Sequence, residues 1–401
     1  MSGLRAAVHD RFGGLPRSYW VLWGGTFVNR LGTMVQPFFA FYLTGSRGLS
    51  VASVGLVLTV FGAGAFFSQL LSGALADRYG RRITLTGGML ATAGIMLVLA
   101  YSQNLAVIVG CMFLLGVAME VYRPASSALV GDIIPVKDRT RAFALLFWAV
   151  NLGFTGGVLT GGLLAHSAIV LLFWIDAITC VAFGLLVWFL VPASHEAPRD
   201  ASKTGSFKDV LGDRVMVIFT GITLVYAVVY HQSMITLPLV MKADGLSPAA
   251  YGIALAANGV VVVLIQPLVV NWLGKHDHSR VAAVGMTLVG VGFGLTMLVS
   301  TTAGYMATVV VWSLGEIVVT GVSAAIATNL APAHLRGRYM GVYGFAFSLS
   351  NLLSPGIGTG LLSLGPAILW GTLAVLAIAA SVVQMAIAPA IRQRTGELVS
   401  V

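Results

Sequence analysis

The sequence predicts an all-α membrane protein of about twelve transmembrane helices, and three observations support this fold class. Of the 401 residues, 58% are hydrophobic and only 9% are charged, whereas a soluble domain carries roughly 25% charged residues. The mean hydropathy is +0.92. The apolar residues form long uninterrupted runs that provide the roughly 20 residues a helix needs to cross a bilayer. Such runs exclude a β-barrel, whose strands alternate in polarity over about ten residues.

Short polar segments divide the apolar runs into twelve predicted spans. Their boundaries are 18–44, 51–77, 83–101, 104–133, 142–166, 168–191, 215–241, 248–273, 281–300, 303–330, 339–364 and 366–389.

The distribution of Lys and Arg predicts the orientation in the membrane. With the N-terminus in the cytoplasm, the cytoplasmic segments hold 19 of the 23 Lys and Arg residues. The outer loops hold only Arg47 and Lys242. Because basic residues favour cytoplasmic loops, we expect a multi-pass protein of the cell (inner) membrane with both termini inside. The same rule explains the net charge of +9, so no nucleic-acid partner is expected.

A polar segment divides the chain near its middle. Residues 192–214 are rich in Pro, Ser and charged residues, which is typical of a solvated linker. We therefore predict an N-terminal six-helix half at 1–191, a cytoplasmic linker at 192–214 and a C-terminal six-helix half at 215–401.

The two predicted halves also resemble each other in sequence. At a constant offset of 197 residues, Pro135 and Arg139 correspond to Pro332 and Arg336. Two related six-helix halves are typical of one architecture of secondary transporters.

Two motifs carry a resemblance to a known family. The segment between spans 2 and 3, GALADRYGRR at 73–82, resembles the G-x-L-a-D-R-x-G-R-R/K motif of the major facilitator superfamily. In span 5, GFTGGVLTGG at 153–162 resembles the antiporter motif G-x-x-x-G-P-x-x-G-G, with Val158 in place of the proline. The resemblance implies the major facilitator fold and transport by alternating access.

The resemblance also implies a cytoplasmic gate. Its residues are Gly73, Asp77, Arg78, Gly80, Arg81 and Asp132. A carboxylate at position 77 would face the positive N-terminal end of span 11, and a glycine at 73 would let a neighbouring helix approach closely. The alternative is that these charges only anchor the topology.

Charged residues inside the spans are candidates for proton coupling, because a charge within the bilayer is costly and usually functional. Span 4 lacks the R-x-x-Q-G sequence of drug–proton antiporters but carries Glu120 and Arg123 on one helical face. Glu316 on span 10 and Arg30 on span 1 complete the set. The alternatives are a permanent Glu120–Arg123 ion pair, a structural bridge at Arg30 and a neutral, hydrogen-bonded Glu316. Asp176 on span 6 is expected to turn inward and form a structural contact.

Polar and aromatic residues on the predicted spans are candidates for the substrate cavity, which the family fold places among spans 1, 4, 7 and 10. They are Asn29, Gln36, Tyr122, Tyr226, Tyr230, His231, Asn258, Gln266 and Trp312. For His231 the alternative is a hydrogen-bonded core residue.

These observations predict a proton-coupled exporter of amphipathic or hydrophobic small molecules. The alternatives are a proton-linked transporter of a polar metabolite (an amino acid, a peptide or a sugar) and a membrane sensor that does not transport.

No nucleotide-binding loop, catalytic constellation or metal-ligand spacing is present in the sequence, so no enzyme activity or cofactor is expected. The expected partners are a small-molecule substrate, protons and the lipid bilayer, and the protein is expected to be a monomer. Cys111 and Cys180 lie in spans, so no disulfide is expected.

Overall fold

The computed structural model describes residues 15–135, 139–191, 207–273, 276–332 and 335–395. Within these ranges, side chains are described except at 70–74, 76, 77, 81, 120–129, 131, 132, 139, 140, 144, 166, 167, 207, 270, 271 and 395.

Twelve helices of 16 residues or more lie in the described ranges, and all regular secondary structure there is helical. They are α1 (Arg17–Gly32), α2 (Val51–Tyr79), α3 (Arg81–Tyr101), α4 (Leu105–Ile133), α5 (Arg139–Ser167), α6 (Ile169–Leu190), α7 (Arg214–Ile235), α8 (Pro248–Leu273), α9 (His278–Leu295), α10 (Thr302–Leu330), α11 (Arg336–Leu364) and α12 (Pro366–Thr395). Within the described part, nine helices are long and apolar enough to cross a membrane. The all-α membrane fold is thereby confirmed.

Several helix ends follow from local chemistry. α8 and α12 begin at Pro248 and Pro366, where the missing N–H of proline costs no intrahelical hydrogen bond. α7 and α9 begin after Asp213 and Asp277, whose side chains accept hydrogen bonds from backbone N–H groups of the first turn.

Span 1, predicted as one continuous helix, is interrupted in the structure. α1 ends at Gly32, and short helical turns follow from Gln36–Phe38 through Tyr42–Ser46. Thr33 is the last residue bonded to α1, through its backbone N–H to the carbonyl of Asn29, and its ψ of 59° takes the chain out of helical geometry. Pro37 then disfavours helical geometry in the residue before it and offers no N–H. Hydropathy alone does not detect this interruption.

The chain divides into two compact units. The first comprises Met1–Gln36 and Gly64–Ala197. In it, α1 packs against α5 and α6, and α3 packs against α4 and α6. Gly153 of α5 lies against the α1 backbone, so that a Cβ there would come within 2.7 Å of the carbonyl oxygen of Phe27. The antiporter-like glycine motif therefore permits close packing of α1 on α5.

The second unit comprises Pro37–Ala63 and Pro198–Val401. In it, α7 packs against α11, α8 against α10, and α9 against both α10 and α12. Phe293 of α9 stacks on Trp312 of α10 at a ring-centroid distance of 5.5 Å and on Trp370 of α12 at 6.0 Å. These rings are buried and hold three helices together.

Candidate functional site

In the second unit, hydrogen-bond donors from two neighbouring helices converge on one carboxyl group. On α10, Glu316 accepts a hydrogen bond at Oε2 from Asn258 Nδ2 at 2.5 Å. The hydroxyl of Tyr230 on α7 also hydrogen-bonds to the Glu316 side chain. Asn258 Nδ2 further contacts the Oγ of Ser313 at 2.9 Å. Helices α7, α8 and α10 thus meet at one carboxyl group.

The residues around Glu316 differ in their access to solvent. The side chains of Asn258 and Ser313 are buried, with 4% and 0% of their surface exposed, whereas Glu316 is partly exposed. Glu316 as a residue therefore lies at the boundary between the packed interior and accessible space.

Aromatic rings line one side of this site. Tyr226 and Tyr230 stack at a centroid distance of 6.0 Å. Tyr230 meets Trp312 edge to face at 5.8 Å. Such rings present large apolar faces that also attract cations. A carboxyl group beside them offers both features that an amphipathic ligand requires.

His231 contacts a different helix from its neighbour Tyr230. Its Nδ1 shares a hydrogen bond with the Oγ of Ser350 on α11 at 3.0 Å. That contact is typical of a hydrogen-bonded core histidine. Ser350 was not predicted, because a serine inside an apolar run carries no distinguishing signal.

A second buried carboxyl group lies in the first unit. On α6, Asp176 is only 1% exposed. Cys180 Sγ donates to its Oδ1 at 3.5 Å, and Asn29 Nδ2 donates to the Sγ of Cys180 at 3.3 Å. The guanidinium of Arg30 lies within electrostatic range of Asp176. The Asp176 side chain is therefore turned inward toward Cys180, with Arg30 in electrostatic range, and its structural role stays a prediction.

Other predicted site residues have different surroundings. Asn29 belongs to the Asp176 cluster, and Gln36 lies in the turn Gln36–Phe38. Gln266 is on α8, about two turns beyond Asn258.

Part of the predicted gate can be described. Arg78 lies over the ring of Tyr79, 5.4 Å from its centroid. Gly80 has a φ of +84° and a ψ of 154° in the turn between α2 and α3. Only glycine adopts this backbone conformation readily, which explains the glycine at this point of the motif.

Several predicted residues lie outside the described side chains. They are Gly73, Asp77, Arg81, Glu120, Tyr122, Arg123 and Asp132. The gate hypothesis and the roles of Glu120 and Arg123 therefore stay predictions.

Ion pairs that the sequence did not predict lie at the end of the second unit where α7 and α9 begin. Arg394 donates to both carboxylate oxygens of Asp213 at 2.7 Å, and Arg392 donates to Oδ2 of Asp277 at 2.6 Å. Burial alone would raise the pKa of Asp213, but hydrogen bonds from Arg394 and Tyr339 outweigh it and hold the pKa below its usual value. The signal available in the sequence was an aspartate directly before each helix, which is typical of an N-cap.

Long apolar helices with polar clusters between them define a polytopic membrane transporter. Residues 22–236 and 222–397 each match the model of the Major Facilitator Superfamily. The chain belongs to that family.

Individual relatives and structures agree with this assignment. The chain is 26% identical over 370 residues to a Na(+), Li(+), K(+)/H(+) antiporter of Planococcus maritimus, covering 83% of this chain and 86% of the relative. It is 25% identical over 323 residues to the multidrug resistance protein MdtH of Aeromonas hydrophila, covering 80% and 81%. The crystal structure of the peptide transporter POT in complex with sulfate is similar with a TM-score of 0.80, 16% identity and coverage of 95% and 96%. The last likeness shows the fold alone.

Proposed function

We propose that this transporter is a proton-coupled exporter of amphipathic or hydrophobic small molecules, and that Glu316 carries the coupled proton. The observation behind the proposal is the carboxyl group of the partly exposed residue Glu316, which contacts Asn258 and Tyr230 beside an aromatic surface. In this proposal the two predicted halves alternate in access, both termini are cytoplasmic, and Asp77 and Arg81 act at the gate.

The donors around Glu316 support a change of protonation. Both are neutral groups, an amide and a phenol, and among the described side chains no cation acts on Glu316. As a carboxylate it accepts from both donors, and as a carboxylic acid it can donate its own O–H to a ligand or to water. A site of this kind accommodates both protonation states, whereas a carboxylate beside a fixed cation favours the charged state.

The surroundings of Glu316 support an amphipathic substrate. Tyr226, Tyr230 and Trp312 provide stacked and edge-to-face rings next to the carboxyl group. A lipophilic cation would bury its apolar part against these rings and its charge near the carboxylate. The multidrug resistance protein of Aeromonas hydrophila and the antiporter-like glycine motif of span 5 favour export.

The test is flux in proteoliposomes under an imposed pH gradient, with a panel of lipophilic cationic and neutral dyes. We expect gradient-driven dye transport that a protonophore abolishes. Replacing Glu316 with Gln should lower it at least about a hundredfold, the lower end of what a positioned proton-transfer group contributes. Asp209→Asn, at an exposed position of the short helix Phe207–Gly212, is the control and should behave as wild type. Absence of dye transport by the wild type would contradict the proposal.

Antiport of monovalent cations and protons is the second candidate function. The antiporter of Planococcus maritimus favours it, as do the oxygen atoms of Glu316 and Ser313, since hard cations prefer oxygen donors. The same vesicles distinguish the two functions. Sodium-driven proton movement without dye transport would support the second candidate and overturn the first.

A further inference from the structure

A small cavity lies beside the Glu316 cluster, among α7, α9, α10 and α11. Five of the residues that line it carry hydroxyl groups: Thr223, Tyr226, Thr320, Ser323 and Tyr343. Its volume is about 10 Å³, which is the space that one water molecule needs. A water of this kind also needs two to four polar partners, and the lining offers them.

The hydroxyl groups are arranged to accept hydrogen bonds from the cavity. Each aliphatic hydroxyl donates its proton to the backbone carbonyl four residues earlier, at 2.9 Å for Thr223, 2.7 Å for Thr320 and 2.7 Å for Ser323. Their oxygen lone pairs therefore remain available. The phenols of Tyr226 and Tyr343 add groups that can both donate and accept.

The residues around the cavity lead from Glu316 toward the end of the second unit at which α7 begins. The Tyr226 side chain lies within electrostatic range of both Glu316 and Tyr343, and Tyr343 is partly exposed. One turn earlier on α11, the hydroxyl of Tyr339 donates to Asp213 at 2.8 Å. Asp213 precedes α7, at the end that the distribution of Lys and Arg predicts to be cytoplasmic.

Tyrosines from two helices lie along this path: Tyr226 and Tyr230 from α7, which interact with Glu316, and Tyr343 from α11, which interacts with Tyr226. α8 presents a neutral amide, and α9 lines the cavity with an apolar side chain. His231 of α7 hydrogen-bonds to a serine of α11 instead. Along this path a proton leaving Glu316 therefore meets hydroxyl oxygens.

We propose that the cavity binds one water molecule, which carries the proton of Glu316 toward the predicted cytoplasmic face. This inference rests on the proposed function. The O–H bond of the Glu316 carboxyl group breaks as the Tyr226 hydroxyl accepts the proton and passes its own proton to the water. The water passes one of its protons to the Tyr343 hydroxyl, which releases its own proton to solvent. One proton leaves, Glu316 becomes a carboxylate, and the water and both tyrosines are restored.

Two substitutions test the water site in different ways. Ser323→Val removes an oxygen and fills the cavity, whereas Tyr343→Phe removes one hydroxyl and keeps the ring. Thr328→Val is the matched control, because Thr328 lies on the same helix, donates to the carbonyl of Ala324 at 2.8 Å and does not line the cavity.

The measurements are dye transport driven by a pH gradient and dye exchange without a gradient. Both cavity variants should lose about tenfold in gradient-driven transport, the rate equivalent of one lost hydrogen bond. Their exchange should match wild type, which also shows that they are folded. The control should be unchanged in both assays.

The outcomes separate this inference from the proposed function. Wild-type behaviour of both cavity variants, with Glu316→Gln inactive, would overturn the water site and leave the proposed function standing. Equal loss of exchange and gradient-driven transport in Tyr343→Phe would show a structural role and would also overturn it. Full activity of Glu316→Gln would overturn the proposed function itself.

Discussion

Asp176 in the first unit and Glu316 in the second are both carboxyl groups within predicted spans, but their surroundings differ. Asp176 is 1% exposed and has the Arg30 cation in electrostatic range. Glu316 is partly exposed, and its carboxyl group is hydrogen-bonded to the amide of Asn258 and the phenol of Tyr230. A buried carboxyl group with a cation in electrostatic range is suited to a structural contact, whereas one hydrogen-bonded by neutral donors on a partly exposed residue is suited to gaining and losing a proton. Burial of a charged residue in a span therefore does not by itself identify the coupling group.

The largest expected effect concerns the stability that the neighbouring residues Arg30 and Asp176 contribute. Replacing Arg30 with Leu removes the cation in electrostatic range of the buried Asp176, which should lower the free energy of unfolding by about 3 kcal/mol, the lower end for a broken buried pair. The double variant Arg30→Leu with Asp176→Leu should recover part of that loss, because neither charge then remains. Thermal unfolding of the purified protein in detergent measures both variants. A double variant less stable than either single variant would contradict the pairing.

The next effect concerns the backbone that positions Arg30. A Cβ at Gly153 would come within 2.7 Å of both Arg30 Cβ and the carbonyl oxygen of Phe27. Overpacking of this kind costs about 1–3 kcal/mol, so Gly153→Ala should destabilise the protein by that amount. At Gly87 of α3 no atom lies within 4 Å of an added Cβ, so Gly87→Ala serves as the control. Equal stability of the two variants would show that the close approach of α1 and α5 does not matter.

The smallest effect extends the comparison to a third carboxyl group, Asp213. Burial raises its pKa, but Arg394 and Tyr339 more than offset this and leave it lowered. A lowered pKa in the folded state contributes stability above the unfolded-state value of about 3.9, and that contribution is lost as the pH falls through the folded-state pKa. Because Arg394 is 45% exposed, solvent screening limits the contribution to roughly 1 kcal/mol or less.

The measurement is the unfolding free energy as a function of pH for the wild type and for Arg394→Gln. The variant should lose stability at neutral pH and should show a shallower decrease below about pH 4. Identical pH profiles would contradict a contribution from the Arg394–Asp213 pair.

The sequence predicted the fold well where hydropathy coincides with local end signals. The predicted span 248–273 agrees with α8, because Pro248 marks the helix start where the apolar run begins. Span 1 was wrong as a continuous helix, because the backbone leaves helical geometry at Thr33 and Pro37 has no N–H to donate, all inside an unbroken apolar run. A window of hydropathy averages over such an interruption.

The candidate site could be predicted as residues but not as contacts. Glu316, Asn258 and Tyr230 were each identified on separate spans, yet their meeting at one carboxyl group depends on how α7, α8 and α10 pack. Asp213 and Arg394 are 181 residues apart in the chain, and no local pattern connects them. Single-sequence periodicity places a residue on a helix but does not identify its partner on another helix.

The most direct test of the central claim, that Glu316 and not Asp176 carries the proton, is substrate-evoked proton release. Dye substrate is added to the purified transporter in weakly buffered detergent solution, and a pH indicator records the protons released. We expect release from the wild type and from Asp176→Asn, and none from Glu316→Gln, with dye binding to all three verified separately. Release that persists in Glu316→Gln and disappears in Asp176→Asn would show that Asp176 carries the proton instead.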